Sequence, residues 1–269
     1  MKNIKSIVLF ILIPFVSFSQ SKLYKISYSS IADIDAQVRS TDILYLNEKM
    51  AYYEIGKKEI ISENEASIII DDGIVYRFFT QKEKTISFIY SDFANNKLYN
   101  TFESQKIHKT VEPIPQMNWV LTDESKEIEG VLLHKATLNF RGRNYEAWCN
   151  LDIPVSVGPW KFNGAPGLIY EIKSLEEDFS YYWGLKEFKE VNEEKKLKET
   201  LMLLTRKLDK DYRDLPIVIK EINEEDVSNN TISNLRLPDG LFVESEETEQ
   251  VDLKEIRRKR AEIKYEWEE

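Results

Sequence analysis

The sequence predicts a mainly β protein of the α+β class, an antiparallel meander that forms a strongly curved sheet or half-barrel. Two observations predict it: apolar and polar residues alternate in short runs as far as Val191, and turn-forming segments separate these runs. Eight to eleven strands joined by short turns favour an antiparallel sheet over parallel βαβ units. Beyond Val191 charged residues dominate and the apolar period becomes helical, so one or two helices are expected in the C-terminal third.

Residues 1–19 have the order of a secretory signal peptide. A basic start precedes a largely apolar run, and Ser17 and Ser19 put small residues at −3 and −1 before Gln20. The run is short for a bilayer span, so export with cleavage is expected, with no transmembrane segment in the mature chain; a membrane anchor is the alternative. Because Gln20 stands where a lipoprotein needs cysteine, the mature protein is expected in the periplasm or outside the cell, not as a lipoprotein.

The charge and cysteine content exclude some classes of function. Loss of Lys2 and Lys5 with the signal changes the formal net charge from −10 to −12, so nucleic acid is not an expected partner. Cys149 is the single cysteine, which rules out an internal disulfide. On a strand beside Trp148, this cysteine is interpreted as a small buried side chain, with a nucleophile as the alternative.

Residues 20–192 are predicted to form a β-rich domain. Tyr24, Ile26 and Tyr28 alternate with polar residues as in a half-buried strand, and strands 43–46 and 50–55 flank a turn at 47–49. The further predicted strands are 67–71 and 74–79 around the turn Asp72-Gly73, then 84–91, 97–103, 119–122, 131–140, 145–152, 168–173 and 179–191. Residues 108–118, which contain two prolines, are predicted to be a linker or crossing loop.

The segment 148–172 holds three of the nine glycines, three of the eight prolines and two of the five tryptophans. Proline fixes φ and glycine permits positive φ, so the loop 154–167, here called the keystone loop, is expected to be rigid. Trp160 and Phe162 lie inside this loop, and we expect both to be largely buried against the sheet. Gly164 and Gly167 are expected in conformations that would penalise other residues.

The run GPWKFNGAPGLIYEI and the upstream run KATLNFRGRNYEAW resemble the GLPGLI family, exported proteins of Bacteroidetes-type bacteria. The resemblance covers about residues 135–172 and departs from the family pattern at Ala165, where the motif has Leu, and at Leu133, where relatives often have Cys. It implies export but no particular activity. The motif positions are Gly158, Pro159, Trp160, Lys161, Phe162, Gly164, Pro166, Gly167, Leu168 and Ile169.

Few side chains in the sequence indicate a binding or catalytic role. The candidate binding residues are Trp148, Trp160, Phe162, Arg141 and Arg143. The two arginines form a cationic turn that could hold an acidic ligand, with surface ion pairing as the alternative. A phosphate site is disfavoured, because the usual glycine patterns are missing and a strand, not a helix, is predicted after the loop.

No catalytic residue, metal site or cofactor is predicted. The chain has only two histidines, and their spacing does not match a zinc motif. One of them, His134, is interpreted as a hydrogen-bonded core residue because it shares a strand face with Leu132 and Ala136. The GxSxG pattern of many hydrolases does not occur either.

Residues 193–269 are predicted to be a charged C-terminal extension whose helices pack on the sheet. Leu197, Leu201, Leu204 and Leu208 recur at i, i+4, i+7 and i+11 of one helix. A terminal helix is predicted from Leu253, Ile256, Ile263 and Trp267, and residues 223–237 before it are predicted to be a loop.

These observations favour a non-enzymatic envelope protein that binds a small ligand or another envelope protein. The alternatives are a carboxylate- or His-dependent envelope hydrolase and a structural envelope component. The space beside Trp160 separates the three hypotheses. An apolar groove without converging titratable groups favours binding, carboxylates converging with His134 favour hydrolysis, and a sheet without a pocket favours the structural role.

Overall fold

The computed structural model describes residues 22–33, 36–63, 69–71, 74–76, 87–103, 106–176, 179–192, 195–205, 211–233 and 260–268. The strands are β1 (Leu23–Asp33), β2 (Ala36–Leu46), β3 (Met50–Glu54), β4 (Glu59–Glu63), β5 (Ile69–Asp71), β6 (Ile74–Tyr76), β7 (Phe88–Asp92), β8 (Lys97–Glu103), β9 (Ile107–Pro113), β10 (Val120–Ile128), β11 (Val131–Phe140), β12 (Arg143–Asn150), β13 (Leu168–Ser174), β14 (Ser180–Val191) and β15 (Arg213–Asp214). The helices are α1 (Lys195–Thr205) and α2 (Leu215–Ser233). The predicted signal peptide and the turn Asp72-Gly73 lie outside the described residues.

One curved, unclosed sheet contains thirteen of the described strands, so the predicted fold class is confirmed although the strand number was underestimated. Its order is β10-β11-β12-β13-β14-β1-β2-β3-β7-β8-β9-β15, with β4 paired to β2 and with β5 and β6 as a separate hairpin. The pairing is antiparallel except between β15 and β9. Two meanders therefore meet where β14 pairs with β1.

The connection from β9 to β10 shows why the sheet must curl. These strands are consecutive in sequence, yet ten strand spacings separate them along the sheet order. At about 4.8 Å per spacing, a flat sheet would hold them about 48 Å apart. The link from Pro113 to Val120 can span at most about 25 Å. The two edges must therefore approach each other, and residues 114–119 cross the gap between them.

Strand β9 is the main error of the strand prediction, because it occupies much of the predicted linker 108–118. Its alternate residues His108, Thr110 and Glu112 are buried even though all three are polar. The hydrophobic alternation that normally indicates a strand is therefore missing. Only residues 114–119 remain as the crossing loop.

Both faces of the sheet carry a hydrophobic core. The core on the inner face includes Ile26, Tyr28, Leu44, Tyr53, Leu98 and Ala147 from the strands and Phe162 from the keystone loop. The outer face is defined by residues including Tyr45, Met50, Tyr52, Phe88, Tyr90 and Tyr99, with Leu197 of α1 packed among them. Helix α2 packs on Phe102 together with Tyr265, at the β8 end of the inner face.

The first predicted helix is found as α1, whereas the second helix lies elsewhere. The loop predicted at 223–237 is wrong as far as Ser233, because α2 continues to that residue. Its buried residues Leu215, Val218, Ile219 and Ile222 have helical spacing that the prediction overlooked. Residues 260–268 contain no helix, while Leu208 and residues 253–259 lie outside the described residues. Neither described helix is long and apolar enough to cross a lipid bilayer.

Candidate functional site

The tip of the keystone loop is a tight turn. Val157 and Asn163 pair as a bridge, the Gly158 amide donates to the Phe162 carbonyl at 2.8 Å, and the Phe162 amide donates to the Pro159 carbonyl at 3.1 Å. Trp160 follows Pro159 with a φ of 52°, in a turn position that usually favours glycine. A bulky residue keeps such a conformation only where surrounding contacts hold it.

Phe162 is the buried plug of this loop, as predicted. Its side chain is fully buried, and its ring lies edge-on to Tyr145, Trp183 and Trp119 at centroid distances of 4.9, 5.4 and 6.1 Å. Trp160 is less completely buried than Phe162, but it too packs against the inner-face core. One face of its indole stacks on Trp183 at 6.1 Å.

Gly164 and Gly167, the two positions predicted to require glycine, require it for different physical reasons. Gly164 has a φ of 70°, as expected. Gly167 does not have a positive φ, but a Cβ atom there would lie 2.2 Å from the Asn150 carbonyl oxygen. Close backbone approach, not a left-handed conformation, therefore requires glycine at the end of the loop. Leu168 and Ile169 follow fully buried in β13.

The keystone loop is fastened to the crossing loop 114–119. The Trp119 indole donates to the Asn163 carbonyl at 2.8 Å, and the Asn163 amide donates to the Pro115 carbonyl at 3.1 Å. The loop thereby ties β13 to the link between the two edges of the sheet.

Four buried charged residues, Arg141, Lys161, Glu112 and Glu262, form what we call the ionic cluster. Lys161 donates to Glu112 at 3.0 Å and to both oxygens of Glu262 at 2.9 Å. Arg141 pairs with the same two carboxylates, and its Nε donates to Glu266 at 3.1 Å. Burial by itself raises the pKa of Glu112, but the neighbouring Lys161 and Arg141 outweigh it and hold the pKa below its ordinary value. The two basic and two acidic side chains therefore pair with one another inside the fold.

Arg143 is bound just as completely by its own chain. Its guanidinium donates to the Arg260 carbonyl at 3.0 and 2.7 Å, to the Phe179 carbonyl at 3.0 Å and to Glu176 at 3.3 Å. The turn that contains Arg141 and Arg143 thus holds the segment 260–268. The predicted surface ion pairs are buried contacts instead, and neither arginine is available as a docking point for an acidic ligand.

Trp148 is not part of the same site. It alternates with the inner-face residues Ala147 and Cys149, so it points to the outer face, where the Lys126 ammonium lies 4.4 Å from its ring centroid. Cys149 is fully buried, and burial raises its pKa to about 12, which suits a structural thiol. His134 is half-buried rather than a core residue.

A cavity of about 320 Å³, here called the Trp160 cavity, lies between the inner face and the elements that cover it. Its apolar lining consists of Ile55, Ile89, Phe102, Trp160, Leu215, Ile219, Ile222, Ala261 and Tyr265. The polar lining consists of Asn100, Arg260 and Glu262. Both charged groups are already paired, since Arg260 donates to Asn223 at 2.9 Å and Glu262 belongs to the ionic cluster. The walls are therefore mainly apolar, and both charged groups in them already have partners within the chain.

Two further depressions do not include Trp160. One of about 670 Å³ lies on the other side of the keystone loop, beside Tyr24 and Phe93. The other, of about 880 Å³, lies at the β9 edge beside Pro113 and Trp267. Within the described ranges, no three His, Cys, Asp or Glu side chains are placed to hold a metal ion.

The sequence prediction found one wall of the Trp160 cavity and missed the others. Asn100 and Phe102 were assigned to a strand without any site role, and α2 was not predicted where Ile219 lies. Asn100 interrupts the otherwise apolar inward positions of β8, and this interruption was the available signal. The pairing of Glu262 with Lys161 has no local signal at all.

Comparison with known proteins adds little to this description. No protein-family model matches the sequence, and no curated protein matches it either. Among solved structures, the chain is similar to PNGF-II in two crystal forms, with a TM-score of 0.39 and 16% identity over 66% of this chain and 29% or 30% of that protein. It is also similar to an uncharacterized conserved protein from Thermus thermophilus, with a TM-score of 0.37 and 11% identity over 66% of this chain and 85% of that one. The matched part spans less than a third of PNGF-II, and likeness at this level carries no conclusion about activity.

Proposed function

We propose that the protein is an exported, non-enzymatic module that binds a small, mainly apolar ligand in the Trp160 cavity. The cavity itself is the observation that supports this function. Its volume of about 320 Å³ and its largely apolar lining match the usual character of small-molecule sites. The strained φ of Trp160 adds support, since strained residues concentrate at functional sites.

The titratable groups favour binding over hydrolysis. Glu262 is the carboxylate that lines the cavity, and both it and the neighbouring Glu112 are ion-paired with Lys161 and Arg141. Neither carboxylate is free to act as a general acid or base, and His134 is not part of the cavity lining. The presence of a cavity also favours ligand binding over a purely structural envelope role.

Export and family membership are part of the same proposal. The order of residues 1–19 supports cleavage before Gln20 and a periplasmic or extracellular location, and residues 158–169 support membership of the GLPGLI family. Intact-mass measurement of the protein recovered from the periplasm or the medium tests the export step. We expect a mass that begins at Gln20, and a mass that retains Met1–Ser19 would contradict it.

Binding of p-xylene, followed by NMR titration of the full mature chain, tests the site. We expect saturable binding, and Trp160→Ala should weaken it about tenfold, since one aromatic wall contributes on the order of 1.4 kcal/mol. Trp148→Ala is the matched control, because Trp148 is also half-buried but lies on the outer face. No binding by the natural protein, or equal losses in both variants, would refute the proposed site.

A further inference from the structure

The wall of the Trp160 cavity contains one polar side chain that lacks a partner. Asn100 is 8% exposed, and its side chain lines the cavity from β8. In the described part of the chain, its side-chain amide has no hydrogen-bond partner. Because an amide has two donors and an acceptor, this group can bind whatever enters the cavity.

A second unpaired group lies directly across from it. Thr110 of β9 is the registered partner of Asn100, and its Oγ1 is buried without a hydrogen-bond partner in the described part of the chain. Side chains of such cross-strand pairs share one face, with Cβ atoms about 5 Å apart. A buried hydroxyl without a partner is unusual in a native interior, unless water or a ligand completes its hydrogen bonds.

The remaining lining limits the chemistry of that ligand. Arg260 and Glu262 are paired with Asn223 and Lys161 at 2.9 Å each, so the cavity offers no unpaired charge. The indole of Trp160 and the ring of Phe102 provide flat apolar walls. A neutral polar group at Asn100 and an apolar, ring-shaped body therefore match the site.

We infer that the Trp160 cavity takes a neutral amphiphile, a small aromatic or alicyclic body that carries one hydroxyl, carbonyl or amide group. The polar group hydrogen-bonds to the Asn100 amide, and Thr110 is the positioning residue beside that amide. This inference rests on the proposed function, because it specifies the class of ligand for the same cavity.

The test compares two probes of equal shape, p-cresol and p-xylene, in titrations of the full mature chain. They differ only in a hydroxyl that replaces a methyl group. We expect the natural protein to prefer p-cresol by about five- to tenfold, the effect of one buried hydrogen bond. Asn100→Leu and Thr110→Val, both close in shape to the natural residues, should each shift the preference toward p-xylene.

Thr101→Val is the matched control. Thr101 neighbours Asn100 on β8 but bonds to Tyr212 at 2.8 Å on the outer face, so this variant should keep the preference for p-cresol. If all three variants shift their preference toward p-xylene, the cause is a general loosening of the protein and not the loss of one hydrogen bond. That result would overturn the inference.

The outcomes separate the inference from the function on which it rests. Equal affinities of the natural protein for both probes would overturn the neutral-amphiphile inference and leave the apolar binding site intact. Binding of neither probe would overturn both. The preference of the natural protein is itself decisive, so the result does not depend on whether any variant folds.

Discussion

Two neighbouring positions on one face of β9 have opposite environments. Glu112 is buried and is bound by both Lys161 and Arg141, whereas Thr110, two residues earlier, is buried with no hydrogen-bond partner in the described chain. The first position holds the fold together across the gap between the sheet edges. The second is the cross-strand partner of Asn100, which lines the Trp160 cavity. The contrast separates polar residues that are ion-paired within the fold from polar residues that have no hydrogen-bond partner in the described part of the chain.

The ionic cluster joins residues from four parts of the chain, and each charged member has a partner of opposite charge. Glu112 comes from β9, Arg141 from the turn after β11, Lys161 from the keystone loop and Glu262 from the C-terminal segment. Removing any of them would leave a buried charge unbalanced. Asn100 and Thr110 are uncharged, so leaving them unpaired is much less destabilising.

The largest expected effect comes from breaking the ionic cluster. Lys161→Met leaves Glu112 and Glu262 to share Arg141, so unfolding by denaturant should show a loss of about 3–5 kcal/mol. Arg213→Met is the control, because its pair with Glu221 is exposed to solvent and should contribute far less to stability. Similar losses in the two variants would contradict a difference between the buried and the surface pairs.

The next effect comes from displacing the loop that carries Lys161. In Gly167→Ala the new Cβ would meet the Asn150 carbonyl oxygen at 2.2 Å, so chemical denaturation should show a loss of about 1–3 kcal/mol. Gly130→Ala separates backbone strain from this clash. Gly130 has a φ of 80° in open space, and its substitution should lose about 1 kcal/mol from conformation alone. A smaller loss at Gly167 than at Gly130 would exclude close approach as the reason for this glycine.

A smaller effect, of opposite sign, is expected on the unpaired side of the comparison. Thr110→Val removes a buried hydroxyl that has no partner, so the ligand-free protein should gain about 1 kcal/mol of stability in equilibrium unfolding. Thr101→Val should instead lose stability, since it breaks the bond to Tyr212. A loss at Thr110 equal to that at Thr101 would mean that ordered water already satisfies this hydroxyl.

The smallest effect concerns pH and the third polar residue of this row, His108. Burial, and then the nearby Lys106, lowers the pKa of His108 from its ordinary value of 6.5, although Glu221 and Glu225 oppose this and Arg260 adds to it. Because of this lowered pKa, His108 takes up a proton more readily in the unfolded chain than in the folded chain. Stability should therefore fall as pH drops below about 6.5. We expect His108→Gln to flatten this decline in denaturation curves recorded between pH 7.5 and 5. An unchanged slope would show that His108 does not contribute to it.

The sequence by itself determined the elements whose signals are local. Alternating residues predicted β8 and β11 at the bounds the structure has, and the proline and glycine spacing predicted a turning keystone loop with Phe162 buried. These predictions succeeded because strand periodicity and φ restriction act over a few neighbouring residues.

Only the tertiary structure decided which polar residues are buried and what they contact. Arg141 and Arg143 look like a surface turn in sequence, but the curl of the sheet brings residues 260–268 onto them. Glu262 meets Lys161 across 101 positions of the chain, and Asn100 faces a cavity because α2 covers it from the far end of the sequence. Burial and pairing depend on which distant segments come together, and a local sequence pattern does not contain that information.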